Sequence, residues 1–185
     1  MTKRFSTFYS KQAKKPSGLY GRFRMSKVFY KRNLKLNSFA KQMLEVQKDD
    51  IILEIGCGTG MLIDEISKEL ENGTIDGIDF SRTMTSIAIK KNKKNIRHGK
   101  VKIHNADFNE FSFNENYYDK ILSVNTIYFW ENPEFTISKI FKLLKPNGIV
   151  ILGFHMRDDM IRMDLDDKVF KFYSKDEVIS LLSIA

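Results

Sequence analysis

Glu54-Ile55-Gly56-Cys57-Gly58-Thr59-Gly60 places three glycines at alternate positions behind a carboxylate. Glycines spaced this way let the backbone turn sharply and leave its atoms open to a ligand that a Cβ would keep away. The spacing separates ligand classes. A dinucleotide fingerprint needs G-x-G-x-x-G, and the position of its third glycine here holds Met61. The third glycine comes one residue early. Farther on lie polar residues that could serve the same corner. The Asp79 carboxylate can accept hydrogen bonds from two vicinal hydroxyls, with Phe80 and Met84 close behind it. Asp107 can accept from an exocyclic amino group while the Phe108 amide reaches a ring nitrogen, and Asn125 offers an amide. Tyr128, Glu131 and His155 are the side chains able to move a proton. No single one stands out. Cys57 reads as a small filler of the glycine loop, because no nearby base would activate its thiol.

These residues fall at the ends of predicted strands. Ile51 to Ile55 is a short, nearly continuous apolar run, the pattern of a strand buried on both faces. A helix follows the glycines, with Leu62, Ile63, Ile66 and Leu70 at turn spacing, and stops near Asn72-Gly73. Thr74 to Asp79 is the second strand, and Ser81 caps the next helix. Val101 to Asn105 and Tyr118 to Asn125 are the third and fourth. Asn132-Pro133 starts a helix through Phe135, Ile140 and Leu144. Lys145 to Gly148 is a turn, and Ile149 to Phe154 the fifth strand. Strand and helix alternating in this way predict an α/β fold, a doubly wound and mostly parallel sheet in three layers. Ligand groups in such sheets gather at the carboxyl ends of strands.

The 185 residues fit one domain, and 42% of them are hydrophobic, enough for a core. No apolar run is long enough to span a bilayer. The single cysteine fits a reducing cytoplasm, and no metal site is predicted. Charge is uneven. Residues 1–48 hold 13 Lys and Arg and one acid, Glu45, a balance of +12 within a chain of net +8. Such a segment can attract RNA or an anionic substrate, or it can be a solvated face. Residues 1–16 read as a disordered basic tail ending at Pro16, and a helical face follows with Leu36, Phe39, Ala40 and Met43.

In order along the chain, these features resemble the class I S-adenosylmethionine-dependent methyltransferases. Glu54 to Gly60 resembles their first motif, Ile78 to Ser81 with Met84 the second, and Ala106 to Phe108 the third. Tyr118 to Ile121 is similar to the fourth-strand motif, and Leu144 to Gly148 to the turn before the fifth strand. Gly18 to Asn33 resembles the N-terminal lid of the small-molecule, ubiquinone-biosynthesis-like branch. The resemblance implies a lid over residues 17–48 and a cofactor domain over 49–185. It implies that Glu54, Gly56, Gly58 and Gly60 hold the methionine part of S-adenosylmethionine, with Cys57 in the same cofactor loop. Asp79 would then take the ribose, Phe80, Asp107 and Phe108 the adenine, Met84 would join the cofactor site through the second motif, and Asn125 would lie beside the methyl. Tyr20, Tyr30 and Trp130 are candidates to line the acceptor pocket.

The expected activity is methyl transfer to a small molecule. The alternatives are an RNA or ribosome methyltransferase and a truncated cofactor-binding member with little activity, with a dinucleotide oxidoreductase further off. Ser174 to Glu177 forms a capping box for a final helix running to Ala185. The resembling family continues into two more strands, so the expectation is a truncated member with five strands. Its fifth strand would be an open edge prone to self-association, and the segment from His155 to Tyr173, strand-like over Lys168 to Tyr173, could partly shield it.

Overall fold

The computed structural model describes residues 3–163 and 165–183. Five strands form: β1 (Ile51–Ile55), β2 (Thr74–Ile78), β3 (Val101–His104), β4 (Tyr118–Val124) and β5 (Leu144–Gly153). All neighbours pair in parallel, in the order β3-β2-β1-β4-β5. Side chains alternate across a strand, so Ile52 joins one core and Leu53 the other. On β4, Leu122 and Ile121 divide in the same way. This two-sided burial explains why the strands read as apolar runs rather than alternating ones.

Eight α-helices accompany the sheet among the described residues: α1 (Lys3–Lys14), α2 (Ser26–Leu44), α3 (Met61–Ile66), α4 (Arg82–Lys91), α5 (Lys93–Arg97), α6 (Pro133–Leu143), α7 (Arg157–Ile161) and α8 (Lys175–Leu182). Ala40 and Leu44 of α2 join Leu62, Ile63 and Ile66 of α3 over one face. Ile137 and Ile140 of α6 with Val178 of α8 cover the other. The result is the expected three-layer α/β sheet. Local signals set its helix starts. Ser81 accepts from the Met84 amide, Asn132 from Phe135, and Ser174 with Glu177 closes a full capping box. The expected end of α8, Ala185, lies outside the described residues.

The strand order reverses between β1 and β4. In an open α/β sheet, that reversal opens the crevice where ligands bind.

Four expectations need correction. Residues Lys3–Lys14, expected within a disordered tail, form α1. Its Ser10 hydroxyl accepts from the Asp166 amide at 2.9 Å, and its Thr7 hydroxyl donates to the Asp166 carboxylate. The helix after the glycines is shorter than its apolar pattern, ending at Ile66, and α5 appears where none was expected. Lys145 to Gly148 is not a turn ahead of a strand. It is a bulge within β5, where the pairing jumps from Tyr118–Leu144 to Lys120–Ile149 and Asn147 takes φ 65°. Finally, Lys168 to Tyr173 is neither a strand nor a shield for the edge. The Lys171 amide donates to the Tyr128 carbonyl, and Phe170 packs on Tyr128 and Phe129. The segment therefore covers the carboxyl end of β4, and β5 remains at the sheet edge.

Candidate functional site

A cavity of about 600 Å³ opens at the carboxyl ends of β1, β2 and β4. That is within the usual size of a small-molecule site. One wall is the glycine loop. Gly56, Gly58 and Gly60 all adopt the left-handed φ region, at 73°, 52° and 66°. Their surroundings differ. A Cβ on Gly56 would meet Thr126 Cγ2 at 2.2 Å, and one on Gly60 would lie 2.8 Å from Ala88 Cβ. Around Gly58 there is open space. Two glycines therefore let elements pack closely, and the middle one leaves the cavity wall bare. Gly60 was expected at the ligand, but it sits behind the loop against α4 and does not line the cavity.

Glu54 ends inside the cavity wall, buried, and its Oε2 has no hydrogen-bond partner. Burial, reinforced by the Asp79 and Glu65 charges, raises its pKa to about 8. A buried carboxyl oxygen without a partner is costly, which makes it a waiting acceptor for a cationic ligand. Asp79 stands opposite across the loop. Its Oδ2 accepts from the Gly58 amide at 2.9 Å and its Oδ1 from the Ser81 amide at 2.8 Å. Burial raises its pKa to about 6 against the pull of those two bonds. Part of its acceptor capacity is thus spent on the loop. Each carboxylate oxygen still has a further lone pair for a ligand hydroxyl.

Met84 is buried on the cavity wall, and the Phe80 ring lies beneath Lys15 Nζ at 5.3 Å. Asp107 is exposed at the rim, with its Oδ1 held by the Asn109 amide, and Phe108 is buried beside it. Cys57 lines the cavity, but burial, with Asp79 and Glu54 nearby, pushes its thiol pKa well up. It remains a filler, not a nucleophile. Asn125 adopts φ 58° at the end of β4, which turns its amide into the cavity. The amide donates to Asn33 Oδ1 at 3.0 Å, and its own oxygen accepts from the Tyr128 hydroxyl at 3.1 Å.

The three proton-handling candidates all reach the cavity. The Tyr128 hydroxyl accepts from the His155 amide, and burial pushes its pKa above the ordinary tyrosine value. It stays protonated at neutral pH and is ill suited as a base. The Glu131 side chain is 91% exposed at the rim, 3.7 Å from Lys14 Nζ. His155 lies at the end of β5. Of the aromatics, Tyr30 and Trp130 line the cavity, whereas Tyr20 instead packs edge-on against Phe8.

Apart from Tyr30, sequence reasoning missed the residues that α1 and α2 bring over the cavity. Tyr9, Lys14 and Lys15 arrive from α1 and its end, Asn33 and Asn37 from α2. Asn33 and Asn37 are four apart on one helix, a spacing that puts both on one face. That was the available signal. For α1 there was none, because its anchor, Asp166, lies more than 150 residues away.

Comparison with known proteins agrees with this geometry. A family model described as a methyltransferase domain matches residues 52–148. The uncharacterized methyltransferase YdaC of Bacillus subtilis is 28% identical over 126 residues, covering 68% of this chain and 67% of that protein. The malonyl-[acyl-carrier protein] O-methyltransferase of Priestia megaterium is 36% identical over 102 residues. That match covers 55% of this chain but only 35% of the enzyme. Among solved structures, a SAM-dependent methyltransferase from Aquifex aeolicus superposes with a TM-score of 0.70 over 86% of this chain and 85% of its own, at 19% identity. That likeness shows the fold.

Proposed function

The chain belongs to the class I S-adenosylmethionine-dependent methyltransferase family, and from that premise we propose that it transfers a methyl group from S-adenosylmethionine to a small-molecule acceptor. The observation that carries the reading is Glu54. Its orphaned, buried oxygen beside the bare Gly58 suits a ligand that brings positive charge and needs close backbone approach. When bound, the cofactor supplies a methyl on a sulfonium that needs no further activation.

The chain's residues then have limited work. Glu54 and the Gly56 to Gly58 loop hold the aminoacyl end, and Asp79 takes the ribose hydroxyls. Phe80, Met84, Asp107 and Phe108 enclose the base. Asn125, tied to Asn33 and Tyr128, fixes the boundary between cofactor and acceptor. Catalysis rests on orientation and on excluding water. Where the acceptor must lose a proton, His155 and Glu131 are the groups placed to take it. Residues 17–48, together with α1, act as the lid over residues 49–185. A basic lid also suits an RNA acceptor, so the test separates the two. The chain is incubated with S-adenosylmethionine and either a metabolite filtrate freed of RNA and protein, or purified RNA. Formation of S-adenosylhomocysteine with the filtrate alone is expected. Turnover with RNA alone would replace this reading.

A further inference from the structure

The chain contains no acid before Glu45, and although Lys41 and Lys48 of the lid pair with Glu69 and Glu71, a group of its other cations stands without an ion pair among the described residues. Arg22 and Arg24, in the π-helical turn Tyr20–Met25, are exposed, as are Lys27, Lys31 and Lys35 on α2. None takes part in a salt bridge among the described residues. Large apolar side chains stand among them. Leu19 is 76% exposed, Phe23 67%, Tyr30 52% and Leu34 40%. The spacing is helical. Leu19, Phe23 and Lys27 are four apart, and Tyr30, Lys31 and Leu34 continue the same stripe. The opposite side of the lid faces protein: Met25 and Ala40 are buried, and Gly21 fits so closely that a Cβ would meet the Pro16 carbonyl carbon at 2.7 Å. The stripe also borders the cavity, whose wall includes Val28, Phe29 and Tyr30.

A cationic face carrying protruding Leu and Phe is matched by one surface chemistry, an apolar layer beneath negative phosphates. We propose that this lid face docks on an anionic lipid bilayer. Leu19 and Phe23 enter the acyl boundary, and Arg22, Arg24, Lys27, Lys31 and Lys35 meet the headgroups. The docking is a surface attachment, since among the described residues no helix is long and apolar enough to cross a membrane. RNA would satisfy the cations and could stack on Phe23 and Tyr30. It would leave Leu19 and Leu34 without a role, because an aliphatic side chain offers no stacking face. The proposal does not depend on methyl transfer.

Co-sedimentation of the full chain with phosphatidylglycerol-containing vesicles, against pure phosphatidylcholine vesicles, tests it. The chain is expected on the anionic vesicles only, and to be released as salt rises. Leu19→Ser with Phe23→Ser should weaken partitioning by roughly tenfold per side chain, from the burial energy of each. Arg22→Gln, Arg24→Gln and Lys27→Gln together should weaken it by roughly a hundredfold, at about fivefold per cation. These side chains are exposed, so unchanged melting temperatures are expected. No partition of the wild-type chain onto anionic vesicles would overturn the proposal, whatever the variants do. So would partitioning indifferent to the Leu19 and Phe23 changes, or RNA binding tighter than vesicle binding.

Discussion

Asn125, at the carboxyl end of β4, donates its side-chain amide to Asn33 on α2 at 3.0 Å, across 92 residues of sequence. The bond ties α2 to the sheet at the cavity wall. Tyr128 holds the other side of the same amide. The position of α2 is therefore set at the point where the proposed cofactor and acceptor would meet.

Asn33→Ala should loosen this tie. Loss of one hydrogen bond is worth about 1 kcal/mol, so amide exchange across 26–36 should rise roughly fivefold. Exchange in β1 and β4 should not change. Unaltered exchange in α2 would show that packing of Ala40 and Leu44 alone holds this helix in place.

The glycine loop separates stability from binding. Gly60→Ala forces a Cβ into Ala88 and Asn92, and should cost about 2–4 kcal/mol through clash and left-handed strain. Gly58→Ala meets nothing and should cost only about 1–2 kcal/mol. It should nonetheless weaken S-adenosylmethionine binding at least as much as Gly60→Ala. Urea titration and calorimetry on the two variants check the contrast.

That contrast also marks what the sequence could and could not reveal. Three glycines at alternate positions announced a ligand loop. Nothing local said that Gly60 serves helix packing, since its neighbours Ala88 and Asn92 come from α4 and its C-cap. The strands were legible because burial on both faces leaves apolar runs such as Ile51 to Ile55. The helix starts at Arg82, Pro133 and Lys175 were legible because their caps are local. Helix α1 was not, because its buried polar anchors Ser6 and Ser10 make its apolar pattern poor, and Asp166 completes it from the far end of the chain. Lys145 to Gly148 carries turn residues, yet β4 recruits both flanks and leaves the turn as a bulge. Among the site residues, Asp79 and Asn125 could be placed by strand ends alone. Their partners Ser81, Asn33 and Tyr128 required the fold.

Glu54 should make the unliganded protein sensitive to pH. In the unfolded chain this carboxyl ionises near its ordinary 4.5, whereas in the folded chain it keeps its proton until about pH 8. Between those values the unfolded state binds fewer protons, so stability falls as pH rises through the window. Glu54→Gln should flatten that fall and leave the unliganded protein more stable than wild type at pH 8. Denaturant midpoints measured from about pH 5 to 8 on both proteins test it. Parallel curves would mean that Glu54 is already ionised.

Asp79→Ala should behave in the opposite way. It strips acceptors from the Gly58 and Ser81 amides, so the melting temperature should drop. Cofactor affinity should fall by at least about tenfold, as expected for one lost charge-assisted bond. Retained affinity in a folded variant would show that the ribose is held elsewhere.

The central claim is that the cavity at the ends of β1, β2 and β4 binds S-adenosylmethionine through Glu54 and the glycine loop. Calorimetric titration of the wild-type chain with S-adenosylhomocysteine, repeated with Glu54→Gln, tests it most directly. The account predicts saturable one-to-one binding that Glu54→Gln weakens by roughly tenfold or more, the loss of a bond to a charged group, with no heat from a nicotinamide dinucleotide. A folded wild-type chain that gives heat with the dinucleotide and none with S-adenosylhomocysteine would contradict it.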